Sequence, residues 1–274
     1  MSRIFTFGCS FTNYIWPTWA DIILYDNKGY NLGILGGGYD SILYRIMEAD
    51  RVFKFTPDDT AIVILTTPIR WDLIFKKNNS LDWSTFGQVT TSFYSKYLND
   101  LYTIDGLLFK SYYNMILIDD YLKKTKINYL LGSVNDPFIN IENYFLDIKL
   151  ENRTIDLINY VKKNVNMQLQ DFYTFLYPNN KKKKWEIVKK FKDYNDYHPR
   201  PKQHLKWVND ILLKKIDFKL NITEEMLSPI ENMIDSCTNY KDSEILYYKY
   251  PKFFNNEFGE NVYLKEKEIK KYLL

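Results

Sequence analysis

Thr60 to Thr66 reads TAIVILT, an apolar run bounded by threonines with no polar residue at every second position. A half-buried strand alternates polar and apolar side chains. This run has to bury both faces, as strands inside parallel sheets do. Parallel neighbours need crossover connections, and the preceding residues supply them in an α/β rhythm. Arg3 to Phe7 is predicted as a strand, Trp19 to Tyr25 as a helix, Tyr30 to Ile34 as a strand and Ser41 to Asp50 as a helix, before TAIVILT itself. With 274 residues the chain can bury one full core and still carry an extension.

Apolar spacing from Thr91 to Lys124 predicts one long helix, or two joined near Gly106, followed by a strand at Ile127 to Leu131. Residues 140 to 170 are expected to be inserted helices, and Asp171 to Leu176 (DFYTFL) the last core strand. The run Lys181 to Lys184 reads as a solvated turn or helix face. Pro201 to Ile216 repeats apolar residues at helical spacing and closes the domain. Helical patterns at Glu224 to Ile234 and Leu264 to Leu273 then form an extension packed on the core, without internal repeats.

Lys and Arg total 37 against 34 acidic residues, a near balance that gives no strong electrostatic footprint for nucleic acid or an anionic membrane. The partner must therefore be argued from a site. The 24 tyrosines are compatible with a sugar-binding surface and also with an AT-rich genome. Cys9 and Cys237 suggest neither a disulfide framework nor a metal knuckle, and a reducing compartment fits them. No signal peptide and no run of 18 apolar residues is seen, so the protein is expected to be soluble and cytoplasmic.

Six of the ten glycines fall in the first 38 residues, at the C-terminal ends of the first two predicted strands. That edge is where open α/β sheets bind ligands. After the first strand comes FGCSFT, with Ser10 placed either to cap the next helix or to act as a nucleophile. After the second comes NLGILGGGYDSI, Asn31 to Ile42, which lacks both the dinucleotide and the Walker spacing. Its N–H groups could approach an anion, including the oxyanion of acyl transfer, or the glycines could serve tight packing alone. The chain's two histidines lie in DYNDYHPRPKQH, Asp193 to His204. Asp193 and Asp196 stand close before His198, as a general base for serine requires.

Together these three stretches resemble the SGNH, or GDSL-like, hydrolase family over roughly residues 1–218, leaving 219–274 as the C-terminal extension. The resemblance implies a flavodoxin-like three-layer α/β/α sandwich around a central parallel sheet, with a helical insertion. It puts Ser10 at the nucleophile, with Cys9 where the family carries aspartate. Gly36, with Gly37 beside it, falls at the glycine whose N–H serves the oxyanion hole, and His198 and Asp196 at the base and its partner. Two departures stand out. The third block, normally Gly-x-Asn-Asp, reads LTTPIRWD here, leaving Thr67 or Arg70 as substitutes, and Arg70 could instead clamp an acidic substrate group. The acid usually lies three residues before the histidine, a position held by Asn195, whereas Asp196 is two before.

The expected activity is a serine esterase or deacylase on a carbohydrate or small-molecule ester, with no cofactor and no metal. The Gly-Cys-Ser block also resembles bacteriophage SGNH-type proteins, implying host-surface acetyl groups as substrate and association with a virion. A non-catalytic glycan- or protein-binding module on the same fold is the rival reading, supported by the missing third-block asparagine. A phosphodiester enzyme using Arg70 and Lys181 to Lys184 is a third, disfavoured by the near-neutral charge.

Overall fold

Thr60–Leu65 (TAIVIL) forms β3, flanked on both sides by parallel neighbours as its apolar run requires. The computed structural model describes residues 2–77, 80–88, 103–138, 150–179, 186–192 and 194–254. Lys181 to Lys184, Asp193, Leu264 to Leu273 and the 91–102 and 140–149 parts of the predicted helices lie outside these residues.

The chain runs through β1 (Ile4–Gly8), α1 (Trp19–Leu24), β2 (Gly29–Asn31), α2 (Tyr39–Phe53) and β3. An antiparallel hairpin, β4 (Arg70–Lys77) and β5 (Ser80–Gln88), follows. Then come α3 (Ile104–Thr125), β6 (Asn128–Ser133), α4 (Asn152–Asn164), α5 (Phe172–Leu176), the two-residue strands β7 (Lys189–Lys190) and β8 (Asn195–Asp196), α6 (Pro201–Trp207) and α7 (Glu224–Ser236). The central sheet has the order β2-β1-β3-β6, all parallel. From β1 the chain turns one way to β2 and then reverses to β3. A crevice therefore opens beyond the C-terminal ends of β1 and β3, the switch point at which α/β sheets bind ligands.

The two faces of the sheet carry separate cores, set by the alternation of side chains along each strand. Ile4, Ile62 and Ile64 pack with Ile22 and Ile23 of α1, Leu205 and Trp207 of α6, and Leu227, Ile230 and Ile234 of α7. Phe5, Phe7, Ala61, Val63 and Leu65 pack on the opposite side with Ile42 and Ile46 of α2, Leu108 and Met115 of α3, and Ile158 and Val161 of α4. This is the three-layer α/β/α arrangement. The apolar side chains of α7 join the same core as α1, because the 3-4-residue spacing of Leu227, Ile230 and Ile234 gives that helix one buried stripe.

Three expectations need correction. Asp171 to Leu176 is a helix rather than a strand: the Asp171 carboxylate accepts the Thr174 amide at 2.8 Å as an N-cap, and Phe172 stacks on Trp207. The open edge of β6 is met instead by isolated bonds, Leu169 N–H to Leu131 C=O and Gln168 Oε1 from the Leu131 amide. The closing helix is α-helical only to Trp207 and continues as a π-helical turn, Val208–Leu212. Ser10 does not cap a helix. It lies in a turn, and α1 begins at Trp19 behind Thr18.

Candidate active site

Gly8 ends β1 where no side chain fits, since a Cβ there would meet Thr12 Oγ1 at 2.2 Å and the Ile64 carbonyl oxygen at 2.7 Å. The chain then folds over Cys9, whose carbonyl accepts the amides of Thr12 (2.9 Å) and Asn13 (3.2 Å). Ser10 rides on this turn. The turn is tied to the next loop: Asn31 Nδ2 donates to the Thr12 carbonyl (2.8 Å), and Asn13 Nδ2 to the Gly33 carbonyl (3.1 Å). Behind it, buried Asp21 accepts from Asn31 Nδ2 and the Thr18 amide, and burial pushes its carboxyl up to about 6.

The late loop meets this turn from the other side. His198 Nε2 lies 2.7 Å from Ser10 Oγ, and Nδ1 lies 2.9 Å from Asp196 Oδ1, which also accepts the His198 amide at 2.8 Å. The two-residue spacing works because β8 pairs with β7 and turns alternate side chains to opposite sides. Asn195 is exposed, while Asp196 is fully buried. The Trp16 indole N–H donates to the Pro199 carbonyl at 2.9 Å and anchors the His-Pro segment. Tyr14 completes the constellation: its hydroxyl donates to Asp196 Oδ2, and its ring stacks on the imidazole with centroids 3.9 Å apart. Burial foremost, then the Asp196 charge, holds the Tyr14 phenol far above its ordinary range, so it stays a neutral donor.

Gly36 sits across from Ser10 with φ +71°, a left-handed conformation suited to glycine. Among the described residues neither the Gly36 nor the Ser10 N–H has an acceptor, and both residues line one cleft of about 490 Å³. His198, Leu35, Arg70 and three tyrosines, Tyr14, Tyr194 and Tyr240, complete the lining. Such an array has the parts for acyl transfer: a hydroxyl on an imidazole, a carboxylate behind the imidazole, and free amide donors for an oxyanion.

No family model matches the chain, and no curated protein matches it. Among solved structures, the chain is similar to a GDSL-like lipase from Bacteroides thetaiotaomicron VPI-5482, at 14% identity over 78% of this chain and 86% of that one, with a TM-score of 0.42. It is also similar to a member of the lipolytic protein G-D-S-L family from Veillonella parvula DSM 2008, at 16% identity over 79% of this chain and 100% of that one, with a TM-score of 0.44.

Gly37 and Thr67 do not line the cleft. The Gly37 amide donates to the Ile34 carbonyl at 3.1 Å, so it is turned into its own loop, away from the oxyanion role that its place beside Gly36 suggested. Thr67 Oγ1 is buried without a hydrogen-bond partner. Arg70 reaches the cleft, and its Nη1 approaches the Gly37 carbonyl at 3.5 Å.

Sequence reasoning missed Asp72, although it lies in the quoted LTTPIRWD. Its buried carboxylate accepts the amides of Gly38 and Ser41 at 2.9 Å each, capping α2 from another element. A side chain at Gly38 would meet that carboxylate at 2.9 Å, which explains the last glycine of the triplet. His204, the second histidine, is in α6 and away from the cleft. Burial lowers its pKa to about 3, and neither ring nitrogen has a partner among the described residues.

Cys9 and Cys237 are both free and buried. Among the described residues no three His, Cys, Asp or Glu side chains are grouped to hold a metal ion, and no helix is long and apolar enough to cross a membrane.

Proposed function

We propose that this chain is a serine esterase or deacylase that removes an acyl group from a carbohydrate or small-molecule ester. One observation carries the reading: the continuous hydrogen-bonded chain from Ser10 through His198 to Asp196, with its hydroxyl end in a cleft beside two unused backbone donors. Ser10 Oγ attacks the ester carbonyl carbon as His198 Nε2 takes its proton. The carbonyl oxygen becomes an oxyanion and is held by the N–H groups of Ser10 and Gly36. Collapse breaks the bond to the alcohol, which leaves with the proton from His198. Water then repeats the sequence on the acyl-serine, giving up its proton to His198 and releasing the acid and the free enzyme. Asp196 keeps the imidazole in the productive tautomer throughout.

The three tyrosines of the cleft and the Gly-Cys-Ser block support a carbohydrate ester, of the kind a phage protein would meet on a host surface. Hydrolysis of p-nitrophenyl acetate by wild type, Ser10→Ala and His198→Ala tests the activity. Each substitution should lower kcat/KM by about a thousandfold or more. Equal rates in wild type and Ser10→Ala would reject the reading.

A further inference from the structure

Arg70 lines the cleft. Among the described residues it forms no ion pair; its one hydrogen bond, Nη1 to the Gly37 carbonyl, is long at 3.5 Å, and its Nε is buried with no acceptor. Two acids among the described residues of this region are otherwise committed. Asp72, two residues along the chain, accepts the Gly38 and Ser41 amides. Asp196, in the same site, accepts from His198 and Tyr14. Placing a cation in a partly enclosed site with its donors unpaired is unfavourable, and a bound anion relieves that cost with charge-assisted bonds.

Arg70 lines the same cleft as Ser10 and His198. Its Nη1 lies 3.5 Å from the carbonyl of Gly37, the neighbour of Gly36, which lines the cleft as well. Among the described residues, the remaining walls, Leu35 and the three tyrosines, bring no carboxylate that would repel an anion. Tyr194 is near enough that Arg70 counteracts part of the burial that raises its phenol.

From this we infer that the cleft is built for an ester bearing an anionic group, a carboxylate on the acyl or alcohol side, which Arg70 binds while Ser10 attacks the neighbouring carbonyl. This rests on the esterase reading above. It excludes a simple neutral ester as the preferred substrate.

Two substrate pairs test it, each differing in charge: mono-p-nitrophenyl succinate against p-nitrophenyl butanoate for an acyl-side carboxylate, and 3-acetoxybenzoate against its methyl ester for an alcohol-side one. Wild type should prefer the anionic member of at least one pair. In Arg70→Gln the anionic-to-neutral ratio of kcat/KM should fall about tenfold or more, and Arg70→Lys should retain part of it. A ratio in Arg70→Gln equal to that of wild type would overturn the inference and leave Arg70 as a donor to the carbonyl or a structural group. A separate arm does not need catalysis. Calorimetric titration of Ser10→Ala with benzoate and with benzamide should show tighter binding of benzoate, lost in Ser10→Ala/Arg70→Gln. Equal binding of the two compounds would also overturn it. If Ser10→Ala hydrolyses esters as fast as wild type while benzoate binding still depends on Arg70, the esterase reading fails and the anion site stands.

Discussion

The Tyr14 ring lies nearly parallel to the His198 imidazole, planes 22° apart and centroids 3.9 Å apart, while its hydroxyl donates to the carboxylate behind that imidazole. One side chain thus braces both the ring and the acid. Phe11, tilted at 5.1 Å from the ring, adds a second apolar contact.

Tyr14→Phe keeps the stacking and removes only the hydrogen bond to Asp196. A bond to a charged group contributes about 1.5–3 kcal/mol, so kcat should fall about tenfold or more with KM within about twofold. Active sites should first be counted by fluorophosphonate titration, so that the rate is expressed per titrated site. A merely structural role would reduce the number of sites and leave the rate of each unchanged.

Gly36→Ala puts a side chain at φ +71° and should displace the Gly36 amide proposed to hold the oxyanion. The left-handed conformation costs an L-residue about 1–2 kcal/mol, small enough for the protein to fold. Loss of one oxyanion donor should lower kcat by about a hundredfold. A wild-type kcat in a folded Gly36→Ala variant would remove this amide from the reaction.

His204 links stability to pH. Its folded pKa of about 3 lies below the ordinary histidine value, so between about 3 and 6.5 the unfolded chain binds more protons than the folded one. Its contribution is complete above about pH 6.5 and is lost as pH falls, by about 1.4 kcal/mol per unit at most. Asp21 acts in the opposite sense: with its folded pKa raised to about 6, its contribution is present at low pH and lost as pH rises through that value. Comparison of wild type with His204→Phe by urea unfolding cancels the Asp21 effect. Between pH 6.5 and 5, wild type should lose about 2 kcal/mol relative to the variant. Parallel pH profiles would show that His204 is not the group responsible.

What could be read from the chain follows from the range of the interactions involved. The apolar run of β3 and the stripes of α2 and α7 declare themselves because burial imposes a period on neighbouring residues. Ser10, Gly36, His198, Asp196 and Arg70 were legible as types with suitable neighbours, and they reach one site, the first four through the ends of β1 and β2 and the loop before α6. Tyr14 was not. One tyrosine among 24 has no local mark, and its partners lie more than 180 residues away. Asp72 was hidden for the same reason, as it caps a helix that begins 33 residues earlier. The DFYTFL segment was too short for its period to separate strand from helix, and the decision fell to the Asp171 cap. The β4–β5 hairpin was not predicted, although its strands are separated in sequence by Asn78 and Asn79, a residue type favoured in tight turns.

The central claim is that Ser10 is a nucleophile activated by His198, and covalent labelling tests it most directly. A fluorophosphonate should lose fluoride to Ser10 Oγ, giving a phosphonylated peptide containing Ser10 by mass spectrometry. Labelling should be abolished in Ser10→Ala and strongly slowed in His198→Ala. A folded wild-type protein left unlabelled, or labelled at another residue with Ser10 unmodified, would contradict the account.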